Sequence, residues 1–417
     1  MMASSDFTLS PEAAGRHHSA GRAAHAGSAD RFPISISVHT DMAELEAEWR
    51  AFDANSGNSL HQSFDWCTAW RKTHDSDLLI VRGTAGKQTL FLLPFEIGGG
   101  RLFRTARLIG SRHSNLNTGL FDSSACDSPR AELTAALDLG VRRPLRQFAD
   151  VIVFERTPQI WRGASHPLAA LAGVENPNAS FQLPLLGTME RTLAQINAKR
   201  RRKKMRISER RLADIGGYDY VIARAGPQAH ALLETFFRQK AARFETLGLP
   251  DAFRGAETRA FFHALIDAAA PEPDKPLELN AIRLRGDHAG RIVAVAGLSR
   301  KGDHVICQFG SIDEEIAADA SPGELLFYRM IDRLCAEGVA LFDFGIGDQP
   351  YKRSWCTIET PLRDIVLPLT FRGQVAAGGF RIIARAKRWV KANETLYAFV
   401  QRQRQRRQTS SAGADEP

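Results

Sequence analysis

The sequence predicts a mixed α/β fold: a mixed sheet covered by helices, in an arrangement that occurs twice along the chain. Three observations predict it. The 417 residues are 44% hydrophobic, enough for about two or three domains that each bury a core. Segments that alternate apolar and polar residues are interleaved with segments of helical period. The order β-α-α-β-β-β-α-β can be read in each half, without clear sequence identity between the copies. Strands that meander and then alternate with helices imply a mixed sheet with helical cover.

In the first half Ile34–His39 alternates like a strand, and Asp41 caps a helix through Phe52. A helix over Ser63–Thr73 follows, then strands at Asp77–Gly83, Lys87–Ile97 and Arg101–Gly110. Thr84-Ala85-Gly86 is the hairpin turn between the first two of these. Next come a strand at Asn117–Asp122, a helix near Arg130–Leu139, the apolar strand Val151–Glu155 and a closing strand near Phe181–Leu185. The second half opens with a long basic helix, Met189–Ile215, and a strand, Tyr218–Arg224. Helices near Pro227–Leu247 and Glu257–Ala269 precede three strands, Leu277–Arg285, Arg291–Arg300 and His304–Asp313. A helix at Ser321–Gly338, a short buried strand at Leu341–Gly345 and a last strand at Asp364–Thr370 complete it. The expected organisation is a disordered tail over 1–31, one half over 32–187, a second over 188–370, and a basic C-terminal piece over 371–417.

Composition excludes several classes. The first thirty residues lack the apolar run of roughly 7–15 residues that a secretory signal needs. No stretch reaches the roughly 18–20 apolar residues that cross a bilayer, so a cytoplasmic location is expected. The five cysteines are scattered, with no C-x-x-C pair, so neither a zinc site nor a disulfide framework is expected. Cys307 and Cys335 lie in apolar segments and read as small buried hydrophobes. Cys356 has no histidine close by in sequence to activate it, so it is not read as a nucleophile.

Candidate functional residues concentrate between His304 and Trp355. Ser321-Pro322-Gly323-Glu324 reads as a helix start, with Ser321 as N-cap and Glu324 completing a capping box. A helix start after a central strand presents free N–H groups and the positive dipole end, which suits a phosphate. Against that, many helices begin this way, Pro322 has no N–H, and Glu324 competes with an anion. Beyond it, the strand around Asp343 runs into Gly345-Ile346-Gly347 and a polar cluster of Asp348, Tyr351, Lys352 and Arg353. Clusters at strand ends of α/β sheets are where ligands sit. A charged turn after a core strand reads equally well.

The segment "SPGELLFYRMIDRLCAEGVALFDFGIGDQPYKRSW" resembles the second half of the CelD/BioF2-like acetyltransferase family. In the first half "HQSFDWCTAW", followed by a hairpin ending in "FLLPFEI", is similar to that family's N-terminal segment. The family is GNAT-like and resembles the FemABX peptidyltransferases in architecture. The resemblance implies tandem GNAT-like halves, the first degenerate and the second carrying an acyl-coenzyme A site. It implies direct acyl transfer from acetyl-CoA or another acyl-CoA to an amine or hydroxyl, with no metal.

By the same resemblance, backbone N–H groups of Gln308, Phe309, Gly310 and Ser311 would meet the thioester carbonyl. Ser321 and Gly323 would receive the pyrophosphate. Attack by an amine needs a proton acceptor. Asp343 and Asp348 are the candidates, with Asp343 preferred because an apolar strand would raise its pKa. The alternative for Asp343 is a strand-end carboxylate that hydrogen-bonds the neighbouring turn. Lys352 matches a FemABX-like lysine that stabilises negative charge, and Tyr351 would protonate the leaving thiolate. The family supplies the pathway: a small-molecule or lipid-linked sugar acceptor in exopolysaccharide, cellulose or envelope assembly. A FemABX-like transfer from aminoacyl-tRNA and a non-enzymatic scaffold are the other readings.

Two segments are strongly basic. Lys199–Arg206 reads Lys-Arg-Arg-Arg-Lys-Lys-Met-Arg, and a solvated helix facing the substrate cleft is preferred over a nucleic-acid contact. Phe371–Pro417 holds ten basic residues against three acidic ones and supplies most of the net charge of +8. Peripheral contact with an anionic membrane through 371–407 and a helix docked with a solvated outer face fit its pattern equally.

Overall fold

The computed structural model describes residues 33–123, 130–270, 272–313 and 315–392. The expected tail over 1–31 and the stretch 393–407 lie outside the described residues. The first half contributes β1 (Ile34–His39), α1 (Glu46–Asp53), α2 (Phe64–Thr73), β2 (Asp77–Ala85), β3 (Gln88–Gly99), β4 (Arg104–Leu108) and β5 (Leu120–Phe121). It continues with α3 (Arg130–Ala135), α4 (Val141–Leu145), β6 (Val151–Pro158), the pair β7 (Ile160–Trp161) and β8 (Ala164–Ser165), β9 (Gly173–Glu175) and β10 (Ser180–Pro184). Then come α5 (Met189–Ala194), α6 (Ala198–Asp214), β11 (Tyr218–Ala223), α7 (Gly226–Thr246), α8 (Ala256–Asp267), β12 (Lys275–Leu284), β13 (Ile292–Lys301) and β14 (His304–Ile312). The chain ends in α9 (Pro322–Ala336), β15 (Leu341–Ile346), α10 (Pro350–Trp355), β16 (Ile358–Thr360), β17 (Leu362–Pro368) and α11 (Phe371–Ala392).

The halves share one plan. In each, four strands run as an antiparallel meander, and a later strand returns parallel to the fourth: β6 beside β4, after the short β5 has paired with β3, and β15 beside β14. The sheets, however, trade their outer strands. β17, from the end of the chain, lies between β6 and β9 in the first sheet. β10, expected to close the first half, lies between β15 and β16 in the second. Sheet membership therefore crosses the expected border at 187/188. Strand pairing is settled by long-range register, which local patterning does not carry.

The interior is shared as well. Trp66 and Trp70 on α2 pack edge-on against Phe261 of α8, at centroid distances of 5.1 and 5.0 Å. One apolar cluster runs from these tryptophans through Phe236 and Phe262 to Phe309 on β14. Burial of such rings contributes about 1.5–3 kcal/mol each, so the contact binds the halves firmly.

Local chemistry explains the other departures. The predicted helix 189–215 breaks at Gln195–Asn197, because Asn197 Oδ1 accepts from Arg200 N at 3.0 Å and caps a new helix. The polar stretch after Gly347 forms α10, with Pro350 in its first turn, where a missing N–H costs nothing. No helix among the described residues is long and apolar enough to cross a membrane.

Burial pulls His61 and His113 down to about 4 and His166 to about 3, so all of them fold neutral. A histidine depressed in the fold contributes stability that is lost as pH falls below the unfolded value near 6.5. Asp53, raised to about 7 by burial, acts in the opposite sense, but with one proton. Urea unfolding should thus show stability falling by about 1–2 kcal/mol per pH unit between pH 6 and 5; a flat or rising profile contradicts this protonation. The strand exchange yields a second expectation. The full chain should melt in one transition, and a fragment of residues 33–187, which lacks β17, should show no cooperative unfolding by circular dichroism. A well-folded fragment would mean β17 is dispensable.

Candidate active site

β14 and β15 pair only over His304–Ile306 and Leu341–Asp343. Further on, β14 stays with β13 as far as Ile312, and β15 stays with β10 up to Ile346. The strands part and leave a wedge at their C-terminal ends. A bulge lies at its edge: Gly297 pairs with Phe309 and Leu298 with Cys307, so Gln308 has no partner opposite. A bulge takes the extra residue out of the ladder and bends the strand away. The stretch Gln308–Ser311 thus has no strand on its β15 side to satisfy its backbone groups.

The β15 side is fixed by a buried ion of each sign. Asp343, fully buried, accepts from Gly345 N at 2.7 Å, Ser180 Oγ at 3.0 Å and Gln182 Nε2 at 3.2 Å. Lys352 Nζ, from α10, donates to Gly345 O at 3.2 Å and Ile346 O at 2.6 Å. The carboxylate and the ammonium thus hold one turn from opposite ends of its peptides. Gly345 has φ +73, which glycine adopts without a Cβ penalty, and an added Cβ would lie 2.9 Å from Asn115 Oδ1.

The expected rise in the Asp343 pKa is corrected here. Burial does push it up, but His304, the Gly345 N–H and Gln182 outweigh burial and hold the carboxyl below its ordinary value. Two of the donors, Ser180 and Gln182, arrive on β10 and could not be read from the local apolar pattern. The alternative reading, a carboxylate that bonds its own turn, is the geometry observed. Burial lowers the Lys352 pKa, while Cys307 and Asp343 oppose that.

The other expected residues are distributed as follows. Asp348 forms a two-pronged ion pair with Arg353, at 2.6 and 2.7 Å on the surface. Tyr351 stacks on Phe327 at 5.5 Å, and burial raises its hydroxyl pKa. Phe309 stacks on Phe236 at 4.0 Å, so its side chain is core. The Ser311 hydroxyl donates to Gln239 Oε1 at 2.7 Å, and Lys240 Nζ donates to Gly310 O at 3.4 Å. Burial pushes the Cys307 thiol up to about 12 and raises that of Cys356, so neither supplies a thiolate near neutral pH.

Sequence reasoning missed the residues that the first half sends to the wedge. Asn115 Nδ2 donates to Gln308 Oε1 at 3.3 Å, and Asn115 Oδ1 accepts from Ile346 N at 3.5 Å, so one side chain spans both strands. His61 Nδ1 lies 3.0 Å from Leu116 O, which places the proton there and leaves the Nε2 lone pair facing the Gln308 amide at 3.2 Å. His61 falls inside the quoted "HQSFDWCTAW" segment, but no spacing rule links it to a glutamine 247 positions away. In the first half the matching wedge, between β4 and β6, is bridged: the Arg156 guanidinium donates to Ser111 O, and Ser111 Oγ donates to Glu155 at 3.2 Å.

The start of α9 differs from the expectation for Ser321. Ser321 has φ +50 and makes no side-chain cap, because a cap needs extended backbone. Nor does Glu324 close a capping box. It pairs with Arg201 at 2.5 Å and Lys204 at 3.3 Å on α6 and accepts from Trp355 Nε1 at 3.3 Å. The basic helix thereby brings two cations against one carboxylate at the helix start. An added Cβ on Gly323 would lie 3.0 Å from Ile312, so this start sits against the end of β14. Local positive charge and the α9 dipole suit an anionic group there. Among the described residues no His, Cys, Asp or Glu cluster could hold a metal.

Residues 199–353, from the basic helix to the end of the site, match the family model described as an acetyltransferase (GNAT) domain. No curated protein matches the chain in sequence. Among solved structures the chain is similar to FemX, with 14% identity over 84% of this chain and 100% of that one, and a TM-score of 0.58. It also matches L-PGS from Bacillus licheniformis, with 10% identity over 83% and 96% of the two chains and a TM-score of 0.48. A tandem GNAT protein from the clavulanic acid biosynthesis pathway matches with 11% identity over 81% and 99%, and a TM-score of 0.46. The likeness to FemX shows the fold, and residues 199–353 are similar in sequence to an acetyltransferase (GNAT) domain.

Replacing Lys352 by Met strands two carbonyls, Gly345 O and Ile346 O, and should cost about 1–3 kcal/mol. Chemical denaturation of K352M would read this directly, and unchanged stability contradicts the assigned contacts.

Proposed function

We propose that the protein transfers an acetyl or longer acyl group from coenzyme A to an amine or hydroxyl, on a sugar or on an envelope or exopolysaccharide (cellulose) precursor. The wedge between β14 and β15 carries this reading. It offers unpaired backbone at a bulge in a fixed frame, as stabilisation of a developing oxyanion requires. The acyl-CoA supplies the activated thioester carbonyl. The chain's residues do the rest. Backbone N–H groups of Gln308–Ser311 receive the carbonyl oxygen, and the start of α9, with Lys204 and Arg201 beside it, takes the phosphate end. Asp343 and Lys352 are positioning residues that hold the β15 edge, because both are spent on the turn at Gly345. Asp348 is engaged by Arg353. The attacking group's proton is assigned to His61, a neutral imidazole whose unprotonated Nε2 contacts the Gln308 amide at the bulge and accepts from Asn115 N at 3.4 Å; the proton passes to the coenzyme A thiolate as the C–S bond breaks. The acceptor class rests on the CelD/BioF2-like resemblance.

A FemABX-like reading, with aminoacyl-tRNA as donor, draws on the fold likeness to FemX. The two are separated by binding. At a hundredfold excess over Kd, acetyl-CoA should raise the Tm by about 3 °C, and aminoacyl-tRNA should not. Stabilisation by the RNA alone would replace the first reading with the second, and a response to neither would favour a scaffold. With an acceptor in hand, His61→Gln should lower kcat by about 10²-fold or more with little change in KM. Retained kcat would remove His61 from its role.

A further inference from the structure

The helix α11 has apolar surface on opposite sides, and the fold uses one of them. Ala376, Ala377 and Phe380 face Val151, Val153 and Val366 of the first sheet. The helix start is clamped there: Thr370 Oγ1 donates to Asp150 Oδ1 at 2.7 Å, and Gly373 is so close to Asp150 O that no Cβ would fit. The opposite side carries Phe371, Val375, Ile382 and Trp389, with 79, 68, 68 and 65% exposure. Their spacings of four, seven and seven residues keep them in one row, about half a turn from the docked face. Solitary exposed apolar side chains are ordinary, but a straight row on a clamped helix is a surface built for a neighbour.

Charge identifies that neighbour. Over Phe371–Ala392 the chain has six basic residues and no acidic one. Arg372 lies to one side of the apolar row, with Arg381 and Arg385 to the other, and all are exposed. A second protein surface would need acidic residues placed to match these arginines. An anionic bilayer meets the whole pattern, since apolar side chains enter the acyl boundary while flanking arginines reach the phosphates.

We propose that the outer face of α11 docks on an anionic lipid surface and holds the protein peripherally to it. The bilayer lies along the helix, because docking on β6 and β17 fixes which side faces outward. This inference is independent of the acyl-transfer reading, since α11 contributes nothing to the wedge.

The experiment is sedimentation of the full chain with vesicles of phosphatidylcholine, with and without phosphatidylglycerol. The protein should pellet with the anionic vesicles, and salt should release it. The double variant V375E/I382E changes side chains that are already exposed, and should bind roughly tenfold or more weakly with an unaltered melting curve. A control, L139E, alters an exposed apolar residue elsewhere and should bind normally. Equal binding to both vesicle types overturns the proposal, as does unchanged binding of V375E/I382E. Dissociation of a dimer by the same variant, with no vesicle binding by the parent, assigns the row to a second copy and overturns it too.

Discussion

Parallel strands that part leave two facing edges of backbone, and buried backbone without partners is costly. In this protein β14 and β15 part after three paired positions, and the surrounding structure is arranged to make that separation stable. On the β15 edge, Asp343 and Lys352 satisfy the N–H and carbonyl groups of one turn. On the β14 edge, the bulge at Gln308 directs backbone outward, while Lys240 and Gln239 restrain the strand from α7. Asn115 crosses the gap. Removing a partner from such a buried ionic frame is expensive, because a charge is then left uncompensated in the interior.

The first half explains why the wedge lies in the second. Both halves build a meander followed by a parallel return strand, so both could hold an opening of this kind. In the first, Arg156 and Glu155 occupy the end of β6 and bind Ser111 beyond β4, which spans the gap with side chains. In the second, small residues stand in corresponding places, Gly310 on β14 and Gly345 on β15. The first half is therefore retained as a wall. Through α2 and the loop carrying Asn115 it packs beside the wedge and brings His61 and Asn115 to it.

Element order was legible because it is local. Alternation in Ile34–His39 and the helical periods of α7 and α9 are each written within one segment, and the hairpin expected at Thr84–Gly86 forms with its turn moved to Gly86 and Lys87. The site was legible in part for the same reason: Asp343, Gly345 and Lys352 fall within ten residues, and their turn is where it was expected. What they do was not legible. The role of Asp343 depends on Ser180 and Gln182, brought by an exchanged strand, and that of Gln308 on residues of the other half. Ser321 failed as a cap because its backbone is left-handed, which the motif does not encode. Glu324 spells a capping box locally but is taken by cations more than a hundred positions away, on α6.

The wedge as the seat of donor binding is tested most directly by hydrogen–deuterium exchange with and without acetyl-CoA. Binding there should slow exchange of the amides at 308–311 and 345–347 and at the start of α9, leaving the first sheet unchanged. Protection confined to other segments, or none at saturating ligand, would contradict the assignment of the site.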